Sequence, residues 1–168
     1  AAYAPLQGAS TLTAINLTSM SVIWDRNSNP MNVTTYTVTL STAMGSGMYP
    51  FPNSYPGNVS LTTAPAGANP AATLTGLLPN RYYYLYIWAV NHNSSSSAYT
   101  AMGSTSTIAV KPVAAPPAIL TVSSTSITAQ WAAGTPANAP DTNYSVEAAS
   151  AGFSDMSNVV NISTMGLS

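Results

Sequence analysis

The chain has 168 residues, enough for one or two domains, and it contains no cysteine, which excludes disulfide bonds and thiol chemistry. Only 4% of the residues are charged and the formal net charge is −1. With so few charges the chain has no basic surface for nucleic acid, so we expect no nucleic-acid partner. No apolar run is long enough for a transmembrane helix, so we expect no membrane insertion. Because 46% of the residues are hydrophobic, the chain can bury a core. Its nearly uncharged surface suits a protein that is glycosylated outside the cell or one that assembles.

Short alternating segments predict β-strands, and no helical period of apolar residues persists. The cleanest alternation is at 34–41, where Tyr36, Val38 and Leu40 share one face and threonines occupy the other. In chain order, the strands of the first part of the chain are predicted at 11–16, 19–24, 34–41, 58–62, 72–77, 82–90 and 105–110.

The longest apolar run lies at 77–91, and its alternation gives the predicted strand two different faces. One face is suited to a core and consists of Tyr83, Leu85, Ile87 and Ala89. The other face is a row of large amphipathic rings, consisting of Tyr82, Tyr84, Tyr86 and Trp88.

The spacing of this run resembles the strand E–F corner of fibronectin type III domains. The matching positions are Leu77, Pro79, Asn80, Tyr83, Leu85, Ile87, Ala89, Val90 and Asn91. The resemblance implies an all-β, immunoglobulin-like β-sandwich in which the hydroxyl of Tyr83 bonds to the backbone a few residues upstream. Trp24 resembles the core tryptophan near the end of strand B in that family. Arg81 stands where the family usually has threonine, a change on the surface.

The strand pattern begins again after a proline-rich segment, which is typical of a tandem array. We therefore predict a complete fibronectin type III-like domain at 1–110, a semi-rigid spacer at 111–117 and the N-terminal half of a second domain at 118–168. Ile127, Ala129 and Trp131 repeat the spacing of the second strand. Because the sequence stops before a second tyrosine corner, either the natural chain continues, which we favour, or another chain supplies the missing strands.

The sequence offers no arrangement suited to catalysis, and the resemblance points to a non-enzymatic module. The single histidine, His92, has no acidic residue near it in sequence. The four acids, Asp25, Asp141, Glu147 and Asp155, form no carboxylate pair at a useful spacing. We therefore predict no catalytic residues, no metal ligands and no cofactor.

Two aromatic groups are candidate interfaces, because monomers rarely expose large apolar patches and because Tyr and Trp are enriched where proteins meet. The first is the row Tyr82, Tyr84, Tyr86 and Trp88, and the second is the proline-rich loop that carries Tyr49, Phe51 and Tyr55. Each group has a plainer interpretation. Neighbouring side chains or loops would cover the row, and the loop would cover a sheet edge.

Sequons of the form Asn-Xaa-Ser/Thr are the third feature, and surface glycosylation is their functional interpretation. In a chain so rich in Ser, Thr and Asn, several are expected by chance. Asn32 and Asn93 are the best placed, in or beside predicted loops. The six candidates are Asn16, Asn32, Asn58, Asn93, Asn143 and Asn161.

Together these features predict an extracellular or surface-anchored structural or adhesion repeat module that self-associates, as in a fibre or sheath. The alternative is a carbohydrate-binding or spacer module of a secreted polysaccharide-degrading enzyme, in which the flat aromatic rings would contact a polysaccharide. Both hypotheses rest on the resemblance together with the aromatic residues, because a fold alone does not fix a function.

Overall fold

A computed structural model describes residues 1–8, 11–44, 57–149 and 159–165, and the statements below concern these ranges. The described residues form eleven β-strands and no helix. The chain divides into two compact units, unit 1 at Ala1–Ala109 and unit 2 at Val110–Ser168. In chain order the strands are β1 (Leu12–Ile15), β2 (Ser19–Ile23), β3 (Thr35–Ser41), β4 (Val59–Thr62), β5 (Ala71–Thr75), β6 (Tyr82–Val90), β7 (Thr100–Ser106), β8 (Val113–Val122), β9 (Ile127–Ala132), β10 (Asn143–Ala149) and β11 (Val159–Met165).

Unit 1 is a sandwich of two antiparallel sheets. One sheet has the strand order β1-β2-β5 and the other has the order β4-β3-β6-β7. Apolar side chains from both sheets form one buried cluster, which confirms the all-β sandwich predicted from the sequence. The buried members of that cluster are Met20, Val22, Trp24, Tyr36, Val38, Leu40, Leu74, Leu77, Tyr83, Leu85, Ile87, Ala89 and Met102.

Pairing between β3 and β6 builds the centre of the larger sheet. In this register Val38 lies opposite Ile87, and Leu40 lies opposite Leu85. All four side chains are fully buried. Because side chains alternate along a strand, this register sends the remaining rings of β6 to the outer face of the same sheet.

The predicted tyrosine corner is present. The backbone N–H of Leu78 donates a hydrogen bond of 3.0 Å to the hydroxyl of Tyr83, whose side chain is fully buried. Burial raises the pKa of this phenol above its ordinary value, although the bond from Leu78 and the charge of Arg81 act in the opposite direction. Close by, the hydroxyl of Thr107 donates to the backbone oxygen of Leu78 at 2.5 Å. These bonds fix the chain where it enters β6.

The last strand of unit 1 lies earlier than the sequence predicted. We expected it at 105–110, whereas β7 spans Thr100–Ser106. Its alternation is hidden because Met102 is the only large inward side chain, and because a bulge interrupts the pairing with β6 between Tyr84 and Tyr86. Gly103 lies at this bulge with a φ of 106°, a conformation that favours glycine.

Unit 2 contains two separate two-stranded sheets, β8-β9 and β10-β11. The predicted spacer at 111–117 is largely strand, because β8 begins at Val113. The prolines are tolerated there because the pairing skips from Ala114 to Ile119, so that neither proline has to donate to the ladder. The side-chain amide of Gln130 instead donates to the backbone oxygen of Pro117 at 2.9 Å.

Candidate functional site

The outer face of β6 does not expose all four rings. Tyr82 is 47% exposed and Tyr84 is partly exposed. Tyr86 and Trp88 are buried, with only 4% and 7% of their surface exposed. For Tyr86 and Trp88 the structure therefore agrees with the plainer interpretation, in which neighbouring side chains or loops cover the row. Both are buried by the chain itself.

Tyr99 is one reason for this burial. It precedes β7, and its ring meets the ring of Tyr86 edge-on, with centroids 5.5 Å apart and an interplanar angle of 86°. On the opposite side, the outward threonine of β3 that pairs with Tyr86 is Thr39, which is itself buried. The β7 bulge separates this covered half of the face from the half that carries Tyr82 and Tyr84.

Tyr82 and Tyr84 form what we call the aromatic pair. Their rings meet edge-on, with centroids 5.2 Å apart and an interplanar angle of 71°. The hydroxyl of Tyr82 lies 2.6 Å from the hydroxyl of Ser104 on β7, which fixes the direction of that ring. The pair is thus an ordered surface feature that combines apolar rings with hydrogen-bonding hydroxyls.

Two further apolar side chains are exposed near the start of β6. Leu78 and Ile108 are both exposed, and their segments are joined by a backbone hydrogen bond of 3.2 Å from Asn80 to Ile108. The hydroxyl bond from Thr107 to Leu78 holds the same two segments together. This end of unit 1 therefore offers amphipathic rings and aliphatic side chains on a backbone that is well fixed.

The other predicted interface lies outside the described residues. Tyr49, Phe51 and Tyr55 all belong to that part of the chain, so the interface role of their loop stays a prediction.

One cleft of unit 1 contains charged groups that are bonded within the fold. A cleft of about 410 Å³, which sequence reasoning missed, is lined by Trp24, Asp25, Arg26 and Asn69, among others. Its two charged groups bond to their own loop: Asp25 accepts from the backbone of Asn27 at 2.7 Å, and Arg26 donates to the backbone oxygen of Asn29 at 2.5 Å.

Within the described ranges, no group of three or more His, Asp or Glu residues is placed to hold a metal ion. The described part of the chain contains no helix that is long and apolar enough to span a bilayer.

This geometry defines a class of protein, namely a β-sandwich module that has a tyrosine corner and a fixed aromatic surface. The family model of the fibronectin type III domain matches residues 4–102, more than half of the chain. The chain belongs to the fibronectin type III family. Domains of this family are typically non-catalytic structural or binding modules, and they are commonly extracellular.

Comparison with solved structures and curated proteins adds little beyond the family. A structure from a computer-based redesign of a β-sandwich protein is 23% identical to this chain, covers 60% of this chain and 86% of its own, and superposes with a TM-score of 0.39. No curated protein sequence matches this chain.

Proposed function

We propose that the chain is a non-enzymatic extracellular structural or adhesion module that associates with other copies of itself through the aromatic pair Tyr82 and Tyr84. The observation that carries this proposal is an ordered, partly exposed pair of tyrosines on a domain with only 4% charged residues. Tyrosine rings bury a large area at a small entropic cost, because only two side-chain torsions have to be fixed. Few charges oppose the approach of a second copy.

The exposed neighbours of the pair support the same proposal. Leu78 and Ile108 are exposed on the segments next to the start of β6, where they add aliphatic surface to that end of unit 1. The hydroxyls of Tyr82 and Ser104 supply polar groups of the kind found at the rim of protein interfaces. A module of this sort would serve as a building block of a surface fibre or sheath.

The carbohydrate alternative receives less support from the geometry. Stacking on a pyranose favours a flat aromatic face, whereas the rings of Tyr82 and Tyr84 meet at 71° and form no coplanar platform. Trp88, the widest ring of the predicted row, is buried. Binding to a polysaccharide would therefore rest on one ring at a time.

The test is to replace both rings and to measure self-association. We expect the double variant Tyr82→Ser with Tyr84→Ser to shift the chain towards monomer in sedimentation velocity, with its secondary structure unchanged. Tyr3→Ser is the matched control, because Tyr3 is an exposed tyrosine on another part of unit 1. Equal association by the wild type and the double variant would contradict the proposal. Loss of retention on insoluble polysaccharide in the double variant alone would favour the carbohydrate alternative.

A further inference from the structure

N-linked glycosylation of a folded protein requires two groups at the surface, the amide of the acceptor asparagine and the hydroxyl two residues later. Both groups have to enter the active site of the transferase, so a projecting turn suits the reaction better than a strand that is paired on its ladder. The six sequons of this chain differ sharply by this criterion.

The sequon at Asn93 lies in a turn between β6 and β7, and its three residues, Asn93, Ser94 and Ser95, are all exposed. The side-chain oxygen of Asn91 accepts the backbone N–H groups of Asn93 at 3.0 Å and of Ser95 at 2.9 Å. Ser94 adopts a φ of 58°, which turns the chain sharply. The turn is therefore held by the side chain of Asn91, and among the described residues no hydrogen bond occupies the side chain of Asn93 or Ser95.

Asn32, the other sequon favoured by the sequence, lacks an accessible hydroxyl. Its own side chain is exposed, but Thr34 is only 3% exposed. The backbone of this segment is also tied to Ala66, which accepts from Asn32 at 2.8 Å and donates to Thr34 at 3.0 Å.

Asn58 is engaged within the fold. Its side-chain oxygen accepts the backbone N–H of Thr42 at 2.9 Å, and its side chain is only partly exposed. The hydroxyl of its sequon, on Ser60, lies 2.8 Å from the hydroxyl of Thr39. Glycosylation here would require these contacts to break.

The remaining three sequons are held by hydrogen bonds within the fold. Asn16 and Thr18 are exposed in the turn between β1 and β2, but Asn16 bonds to Ser19 through its backbone N–H at 2.9 Å and through its side-chain amide at 3.2 Å, so its acceptor nitrogen is engaged. Asn143 pairs with Met165 in the β10-β11 ladder, and Asn161 pairs with Glu147 in the same ladder.

We infer that the folded chain presents Asn93 as its acceptor for an N-linked oligosaccharide. The donor is an oligosaccharide carried on a polyprenyl pyrophosphate. The side-chain nitrogen of Asn93 forms a bond to the anomeric carbon, and the bond from that carbon to the pyrophosphate oxygen breaks. The polyprenyl pyrophosphate leaves with the electron pair, and the amide nitrogen loses one proton to a base of the transferase.

A glycan at this turn would leave the aromatic pair accessible. The turn follows the C-terminal end of β6, whereas Tyr82 begins that strand. At 3.2–3.4 Å per residue, the nine residues of β6 separate the two ends by about 27 Å. The inference is therefore independent of the proposed self-association.

The experiment uses the full folded chain, a purified oligosaccharyltransferase and a polyprenyl-pyrophosphate-linked oligosaccharide, followed by intact mass and peptide mapping. We expect a mass increment of one oligosaccharide, on the peptide that contains Asn93. Asn93→Gln and Ser95→Ala should each abolish the increment. Ser94→Ala should retain it, because the middle position carries neither reacting group.

Asn32→Gln is the matched control and should retain the increment. First modification at any of the other five sequons would overturn the inference. An unmodified Asn93, under conditions in which a short sequon peptide is fully converted, would overturn it as well.

Discussion

The two units of this chain carry the same strand pattern but bury it differently. In unit 1 the inward side chains of β2, Met20 and Val22, are fully buried. Ile127, which repeats the position of Met20 on β9, is 58% exposed. The β2 side chains are covered by an opposing four-stranded sheet, whereas each sheet of unit 2 has two described strands. Local pattern is therefore enough to form the strands, whereas burial depends on strands distant in sequence.

A contact between a tryptophan and a tyrosine is present in both units. Trp24 and Tyr36 meet edge-on, with centroids 5.3 Å apart, and Trp131 and Tyr144 lie 6.1 Å apart at a tilt of 51°. Both indole N–H groups are buried without a hydrogen-bond partner among the described residues. A contact between a tryptophan at or just after the end of the second strand and a tyrosine of the third strand is therefore a feature of the repeat.

Shortening an inward side chain to alanine should give the largest difference in unfolding free energy between the two units. Met20→Ala should lower the free energy of unfolding by about 2–5 kcal/mol, because it leaves a cavity in a closed core. Ile127→Ala should cost under about 1 kcal/mol, since the side chain that it shortens is already exposed. Urea unfolding followed by tryptophan fluorescence checks both values. Similar costs at the two positions would contradict the difference in burial.

Removing one hydroxyl at the corner should have a smaller effect. Tyr83→Phe leaves the N–H of Leu78 without its acceptor, which we expect to cost about 1–3 kcal/mol of unfolding free energy. Tyr82→Phe is the matched control, because it removes an exposed hydroxyl on the same strand and should cost little. Equal midpoints in urea for the two variants would argue against a structural role for the corner.

The smallest effect should appear only in alkaline solution. Burial raises the pKa of Tyr83 and of Tyr36 above the ordinary value of 10.0, so the folded chain holds these two protons more tightly than the unfolded chain does. Their contribution to stability is complete below pH 10 and is lost as the pH rises through the folded pKa values. Urea midpoints measured across this range should fall with pH, and Tyr83→Phe should make the slope shallower. An equally steep slope in that variant would exclude Tyr83 as a source.

Much of unit 1 could be predicted because its signals are local. The alternation in β6 placed Tyr83, Leu85 and Ile87 in the core, and the spacing from Leu77 to Tyr83 predicted the corner. The candidate site was harder to predict, because the exposure of its rings depends on residues elsewhere in the chain. Tyr99 lies in a Ser-rich segment that gave no sign of covering Tyr86.

The errors in strand position have similar causes. The bulge at Gly103 broke the period of β7, so its start at Thr100 was missed. The prolines near Pro117 suggested a spacer because they cannot donate to a ladder, but the pairing of β8 simply skips them. In both places the irregularity lies in how two strands pair, which a single sequence does not display.

Hydrogen exchange of the full chain tests the central claim most directly, namely that unit 1 is a closed sandwich whereas the described sheets of unit 2 are open. The amides of β3 and β6 should exchange only through global unfolding, because they lie at the centre of a four-stranded sheet. The amides of β9 and β10 should exchange much faster, through local opening of two-stranded sheets. Equal protection in the two units would contradict the account.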